Sequence, residues 1–124
     1  MSSILVVEDQ EHFRDIIKEI LELEGHHVSL AGSGEEAVRL CQQEAFDLVI
    51  TDLVMSGMNG LDLISFLRRF HPNLSVLAFS GASETGLEEA IARGAVRTLR
   101  KPFTAEELLA RVDEIIGKAG KPVE

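Results

Sequence analysis

A polar or charged residue stands at or just after the end of each of four short apolar runs. These residues are the adjacent acids Glu8 and Asp9, the acid Asp52, the hydroxyl residue Ser80 and the lysine Lys101. An aspartate carboxylate can accept a phosphoryl group covalently. A hydroxyl can donate a hydrogen bond to that group, and an ammonium can pair with its charge. Brought together, these side chains would support phosphoryl transfer.

The three acids also constrain one another. Two carboxylates about 4 Å apart repel by roughly 4 kcal/mol at an effective dielectric constant of about 20. One lysine cannot neutralise three acids, whereas a hard divalent cation could, and Mg²⁺ prefers carboxylates, waters and phosphate oxygens. Taken singly, an aspartate after a strand is more often a turn former or a helix cap. The shared position of all these residues is therefore what indicates a functional site.

Strands and helices must alternate to place these residues on one edge. Apolar runs predict strands at 4–7, 28–31, 48–51, 74–79 and 96–99. The amphipathic stretches between them predict five helices. Capping boxes are expected at Ser33 with Glu36 and at Thr104 with Glu107, and a helix cap is expected at Asn59. Such alternation predicts a doubly wound α/β sheet with right-handed crossovers, in which ligands bind beyond the carboxyl ends of the strands.

Composition limits the class of protein. The chain has 124 residues, enough for one domain, and a net charge of −9, which opposes nucleic-acid binding. Cys41 is the only cysteine, so an internal disulfide is excluded. The apolar runs are too short to span a bilayer, and no basic region precedes the first of them. We expect a cytoplasmic domain over residues 1–117, with 118–124 a tail or the start of a linker.

Three segments carry a family resemblance. ILVVEDQEHFR (4–14), DLVITDLVMSGMNGLDLI (47–64) and LRKPF (99–103) resemble the receiver domains of bacterial response regulators. The resemblance covers nearly the whole chain in the right order. It implies a flavodoxin-like (βα)5 fold with five parallel strands in the order 2-1-3-4-5. It also implies a phosphoryl-accepting switch of a two-component system that is not an enzyme in the ordinary sense, although it assists its own phosphotransfer and dephosphorylation.

The resemblance also implies a role for each site residue. Asp52 corresponds to the phosphorylated aspartate and also ligates Mg²⁺. Asp9 corresponds to a direct metal ligand, Glu8 to an acid that acts mainly through water, and Val54 to the residue whose backbone carbonyl completes the protein ligands. Ser80 corresponds to the hydroxyl residue that moves toward the phosphoryl group. Lys101 corresponds to the family's lysine, and its bond to Pro102 to one that is cis in the family.

The phosphoryl donor implied is a phospho-histidine on a histidine kinase or phosphotransfer protein. The surface implied to change is that of the fourth helix, fifth strand and fifth helix, whose output partner the sequence does not name. Two positions depart from the family. Thr98 replaces an aromatic residue that relays the switch, and Ser56 replaces a proline. The apolar Val54 and Ala82 flank the expected phosphoryl site, so we expect slow self-dephosphorylation.

Three other functions remain open on sequence alone. A flavin-binding domain shares the strand order but favours a loop rich in serine, threonine and glycine after the first strand, where this chain has acids. A haloacid dehalogenase-type phosphatase needs a second aspartate at position 54, which is Val54 here. A receiver-like binding module that works without phosphorylation is the third alternative, and Thr98 keeps it open.

Overall fold

Five strands alternate with five helices in the computed structural model, which describes residues 2–81 and 84–117. The strands are β1 (Ser3–Val7), β2 (His27–Ala31), β3 (Leu48–Asp52), β4 (Ser75–Ser80) and β5 (Arg97–Arg100). The helices are α1 (Glu11–Leu23), α2 (Gly34–Gln43), α3 (Gly60–Phe70), α4 (Glu84–Arg93) and α5 (Ala105–Ile116). Across the described ranges, none of the helices is long and apolar enough to cross a membrane. Ala82 and the expected tail at 118–124 lie outside the described residues.

All strand pairs are parallel, and the sheet order is β2-β1-β3-β4-β5. The predicted doubly wound fold is therefore confirmed. Strand order reverses at β1 and β3, so the chain leaves these neighbouring strands in opposite directions around the sheet. The loops that follow β1 and β3 consequently frame one crevice, as expected for a topological switch point.

The predicted strands at 48–51, 74–79 and 96–99 each ended one residue too early. Asp52 lies inside β3, where it pairs with Phe79, and Ser80 lies inside β4, where it pairs with Arg100. A prediction from hydropathy ends a strand where the apolar run ends. Backbone pairing in the folded sheet continues as long as the neighbouring strand does. The backbones of Asp52 and Ser80 are thus paired within the sheet, unlike those of loop residues.

The predicted helix caps are present. The side chains of Ser33, Asn59 and Thr104 each accept a hydrogen bond from the third residue of the helix that follows. The reciprocal capping box is complete only at Thr104. At α2 the prediction of a full box was wrong, because Glu36 Oε1 accepts from Gly32 N–H at 2.7 Å and not from Ser33. Glu36 is thereby used to hold the loop between β2 and α2.

The sheet divides the core in two. Successive side chains of a strand point to opposite faces, so Ile4 and Val6 pack on the α1/α5 side, whereas Leu5 and Val7 pack on the α2/α3/α4 side. Because both faces are covered, β1 and β3 are apolar almost without interruption, as expected of a parallel sheet. Any polar side chain that continues a strand at its carboxyl end must therefore enter one of these two layers.

Candidate phosphoryl-acceptor site

Strand register brings the charged residues together on one face. Glu8 continues the series of Ile4 and Val6 on β1, and Asp52 continues the series of Leu48 and Ile50 on β3; those apolar side chains all pack on the α1/α5 side. Val7 pairs with Thr51, which places Glu8 beside Asp52. Lys101 lies two residues beyond Leu99, whose side chain packs on the same side.

These three residues form a cluster, called the buried charge cluster below. Lys101 Nζ donates a hydrogen bond to Asp52 Oδ2 at 3.1 Å and lies 3.6 Å from Glu8 Oε1. Glu8 is 0% exposed and Asp52 5%, while the Lys101 side chain retains 27% of its exposure. The cation therefore faces solvent at the edge, with the two acids beneath it.

Glu8 is the most strongly perturbed group of the site. Burial raises its pKa to about 7; the Gln10 N–H opposes this rise, and the charge of Asp52 adds to it. The Gln10 N–H donates to Glu8 Oε2 at 3.0 Å. Glu8 Oε1 is buried and accepts no hydrogen bond from any described residue. A carboxyl oxygen in that position is costly unless a proton or a cation satisfies it.

Asp9 lies in a different setting although it follows Glu8 directly. It is exposed, and its Oδ2 accepts a hydrogen bond from Ser56 N–H at 3.1 Å, with Ser56 Oγ at 3.4 Å. The backbone N–H of Ser56 is the largest of the causes that hold the pKa of Asp9 below its ordinary value. The loop between β3 and α3 is also held by Glu35, whose Oε2 accepts from Met58 N–H at 3.2 Å.

The three acids are linked without forming a compact ligand group. The Glu8 carboxyl interacts with Asp52 on one side and with Asp9 on the other. Within residues 2–81 and 84–117, no three histidine, cysteine, aspartate or glutamate side chains are grouped closely enough to hold a metal ion. The structure thus brings Glu8, Asp52 and Lys101 together, and it directs the Asp9 carboxylate toward Ser56.

The backbone around Asp52 is tightly packed. Val54 N–H donates to Asp52 Oδ1 at 3.1 Å, while the Val54 side chain is 64% exposed. Gly60, the first residue of α3, lies against the Asp52 carbonyl so closely that a β-carbon there would collide with it. Gly60 N–H also donates to Leu53 O at 3.0 Å. The start of α3 therefore supports the strand end that carries Asp52.

Ser80 and Thr98 lie nearer α4. Ser80 is buried and shares the face of Ala78, and it lines a hollow of about 260 Å³ beside Leu53 and Gly86. Thr98 is half-buried and borders a separate hollow of about 340 Å³ between α4 and β5. The position of the family's relay aromatic is thus open space beside a small side chain.

Two aromatic rings pack beside the Lys101 ammonium. Lys101 Nζ lies 4.6 Å from the ring centroid of Phe13 and 5.2 Å from that of Phe79. Sequence reasoning assigned no role beside the lysine to either ring. Register offers a signal for Phe79, because it is paired with Asp52. For Phe13 and for the Ser56 contact, local sequence carries none, since each depends on how a helix or a loop docks.

The predicted cis bond between Lys101 and Pro102 is present. Lys101 N–H donates to Ser80 O at 3.0 Å, which attaches the segment after β5 to the end of β4.

Comparison with known proteins agrees with this geometry. The chain is 34% identical to the transcriptional regulatory protein CpxR of Escherichia coli over 119 residues, which is 96% of this chain and 51% of the relative. It is 38% identical to the response regulator protein FleR of Pseudomonas aeruginosa over 110 residues, which is 87% of this chain and 23% of the relative. The chain therefore spans about half, or less, of the length of these relatives.

Solved structures match over nearly their whole length. A response regulator receiver domain protein from Clostridium thermocellum superimposes with a TM-score of 0.88 at 30% identity, covering 95% of this chain and 96% of that one. A CheY-like receiver domain protein from Methanospirillum hungatei gives a TM-score of 0.90 at 27% identity, covering 95% of each chain. Residues 4–113 match the family model described as response regulator receiver domain. The chain belongs to the response regulator receiver domain family.

Proposed function

We propose that this chain is a phosphoacceptor switch in which Asp52 takes a phosphoryl group from a phospho-histidine on a histidine kinase or phosphotransfer protein. One observation carries the proposal: the Lys101 ammonium lies 3.1 Å from Asp52 Oδ2, at the carboxyl edge of a parallel sheet and beside a second buried acid. This pairing places a cation beside the nucleophilic carboxylate, where it can also meet the incoming phosphoryl oxygens.

The residues fit a divalent cation. Glu8 has a buried oxygen without a hydrogen-bond donor, its pKa is raised by burial, and its carboxyl interacts with both neighbouring aspartates. Once the Asp9 carboxylate turns from Ser56, Asp9, Asp52 and the backbone carbonyl of Val54 would hold Mg²⁺, with Glu8 acting through water. When bound, Mg²⁺ supplies positive charge against the acids and the phosphoryl oxygens.

In the proposed reaction, the phosphoryl group passes from the imidazole of the donor to Asp52. An oxygen of the Asp52 carboxylate attacks phosphorus in line, the phosphorus–nitrogen bond of the donor breaks, and imidazole leaves with the electron pair of that bond. Lys101 then pairs with an oxygen of the transferred group, and positioned charge of this kind accounts for most of the catalysis in phosphoryl transfer. The acyl phosphate formed on Asp52 carries more negative charge than the carboxylate it replaces.

The output is a shift between two conformations. Ser80 is buried at the end of β4, and the hollow that it lines with Leu53 and Gly86 leaves room for it to move toward the phosphoryl group. Such movement would carry the start of α4 and the face made of α4, β5 and α5, where an output partner would bind. Because Thr98 has no ring to turn inward, this chain would depend on Ser80 and α4 alone.

Labelling with a small phosphodonor tests the proposal. We expect wild-type chain incubated with MgCl₂ and acetyl phosphate to gain the mass of one phosphoryl group, sensitive to hydroxylamine, and Asp52→Asn to gain none. Asp15→Asn, an exposed carboxyl on α1, is the matched control and should be labelled as wild type. Equal labelling of Asp52→Asn, or no labelling of wild type, would overturn the proposal and favour a binding module that works without phosphorylation.

A further inference from the structure

Three phenylalanines form a closed cluster beside the proposed acceptor. Phe13 of α1, Phe79 of β4 and Phe103, two residues after Lys101, have ring centroids 5.7 to 5.8 Å apart in edge-to-face arrangements. Edge contacts of this kind are the preferred geometry for aromatic pairs, and they fix the direction in which each ring face points. The orientation of the Phe13 ring is therefore determined by its two neighbours.

The Lys101 ammonium lies over two of these rings. Its Nζ is 4.6 Å from the Phe13 centroid and 5.2 Å from the Phe79 centroid, well within the range of a cation–π contact. In the part of the chain that the structure describes, Phe13 and Phe79 are the rings in such contact with it. The same Nζ is bonded to Asp52 on its other side. Lys101 is thus held between a carboxylate and two ring faces.

Lys101 lies partly exposed at the edge of the sheet, so its ammonium needs contacts that keep it in one position. Its side chain has four flexible bonds, and its ammonium is strongly hydrated, so holding it in one place opposes both entropy and solvation. The negative face of an aromatic ring replaces part of that hydration without a competing charge. A third carboxylate would also hold the ammonium, but it would repel the incoming phosphoryl group.

We propose that Phe13 is a positioning residue for phosphoryl transfer, whose ring face keeps the Lys101 ammonium beside Asp52 before the phosphoryl group arrives. The inference rests on the function proposed above for Lys101. Phe13 is better suited to this role than Phe79, which is fully buried in the core. Phe13 is half-buried and borders a hollow of about 520 Å³ with Gln10, Gly81, Lys101, Pro102 and Phe103, so it also faces the side from which a donor can enter.

Substitutions at Phe13 separate its ring face from its bulk. Phe13→Leu keeps an apolar side chain and removes the ring, and it should lower the maximal rate of labelling by acetyl phosphate about fivefold, with little change in the half-saturating concentration. Phe13→Tyr keeps the face and should stay within about twofold of wild type. The matched control is Phe66→Leu, which removes a half-buried ring on the α2/α3/α4 side and should also stay within about twofold, since that ring packs on the face of the sheet opposite to Lys101.

A double-mutant cycle distinguishes positioning of the lysine from a general packing effect. In a Lys101→Met background, Phe13→Leu should have no further effect on the rate, because the group that the ring positions is gone. The same fold loss in both backgrounds would overturn the inference. So would a wild-type rate in Phe13→Leu, a Phe13→Tyr variant as slow as Phe13→Leu, or a Phe66→Leu variant as slow as either. A wild-type rate in Lys101→Met alone would instead overturn the proposed role of Lys101.

A second probe keeps the shape of the ring. Replacing Phe13 with 3,4,5-trifluorophenylalanine withdraws charge from the ring face with almost no change in size, so folding should be preserved even if Phe13→Leu is poorly folded. We expect the fluorinated chain to be labelled more slowly than wild type while its unfolding midpoint is unchanged. An unchanged labelling rate in the fluorinated chain would overturn the inference.

Discussion

Glu8 and Asp9 are adjacent in sequence but lie in opposite environments. Glu8 points into the α1/α5 layer and joins the buried charge cluster, where burial raises its pKa to about 7. Asp9 is exposed and contacts Ser56 in the loop between β3 and α3, and this pair is called the exposed loop contact. The backbone N–H of Ser56 lowers the pKa of Asp9. The two environments differ because successive side chains along an extended strand point to opposite faces, and Glu8 and Asp9 are successive residues. The fold thus raises the pKa of the first acid and lowers that of its neighbour.

The comparison predicts a large pH effect at Glu8. Its folded-state pKa is raised above the model-peptide value, so its stabilising contribution is complete below pH 4.5 and is lost as pH rises to about 7. Glu8→Gln cannot ionise and avoids that loss. We therefore expect its free energy of unfolding to gain roughly 3 kcal/mol on wild type between pH 4.5 and pH 8.

Urea unfolding of both chains across this pH range, without divalent cations, measures the difference. Glu19→Gln, on the exposed side of α1, is the control and should follow wild type at every pH. Parallel curves for Glu8→Gln and wild type would show that the pKa of Glu8 is not raised in the folded chain, and the contrast with Asp9 would fail.

A substitution at Gly60 tests how tightly the end of β3 is packed compared with the loop beside it. Gly60→Ala places a β-carbon against the Asp52 carbonyl and the Leu53 backbone, so it should cost about 1–3 kcal/mol of unfolding free energy. Gly86→Ala is the matched control, since its β-carbon would meet Leu53 Cδ1 at an ordinary 3.7 Å. Alanine favours helices, so the control should be neutral or stabilising by up to about 1 kcal/mol. Thermal or urea unfolding measures both, and equal stabilities would contradict the tight packing.

The smallest expected effect is at the loop contact. Ser56→Pro removes the N–H that donates to Asp9, so the pKa of Asp9 should rise toward its ordinary value. A lowered carboxyl pKa contributes stability that is present at neutral pH and lost on acidification. Removing it should cost less than about 1 kcal/mol, because the contact is exposed.

The pKa of Asp9 is measured by following the NMR chemical shift of its carboxyl carbon as a function of pH. Ser56→Ala keeps the backbone N–H and loses only the hydroxyl at 3.4 Å, so the pKa of Asp9 should stay low in that variant. Equal pKa values in the alanine and proline variants would mean that the backbone N–H is not the cause.

Much of the fold could be predicted from local patterns. Apolar runs located all five strands to within one residue, and Ser33, Asn59 and Thr104 cap helices as their types suggest. The ends of β3, β4 and β5 were missed, since pairing with a strand distant in sequence extends each by one polar residue. The predicted use of Glu36 failed for a similar reason: the same carboxylate can bond either Ser33 or Gly32, and local sequence does not distinguish them.

Some features of the site could likewise be predicted from the sequence, and others depended on the tertiary structure. Residue type and order along the chain were enough to place Glu8, Asp52 and Lys101 at one edge, because parallel strands bring their carboxyl ends together whatever the helices do. The burial of Glu8, the turning of Asp9 toward Ser56 and the ring of Phe13 over Lys101 were settled only by the tertiary structure. Each depends on the angle at which a helix or loop packs on the sheet, and contacts between residues far apart in sequence determine that angle.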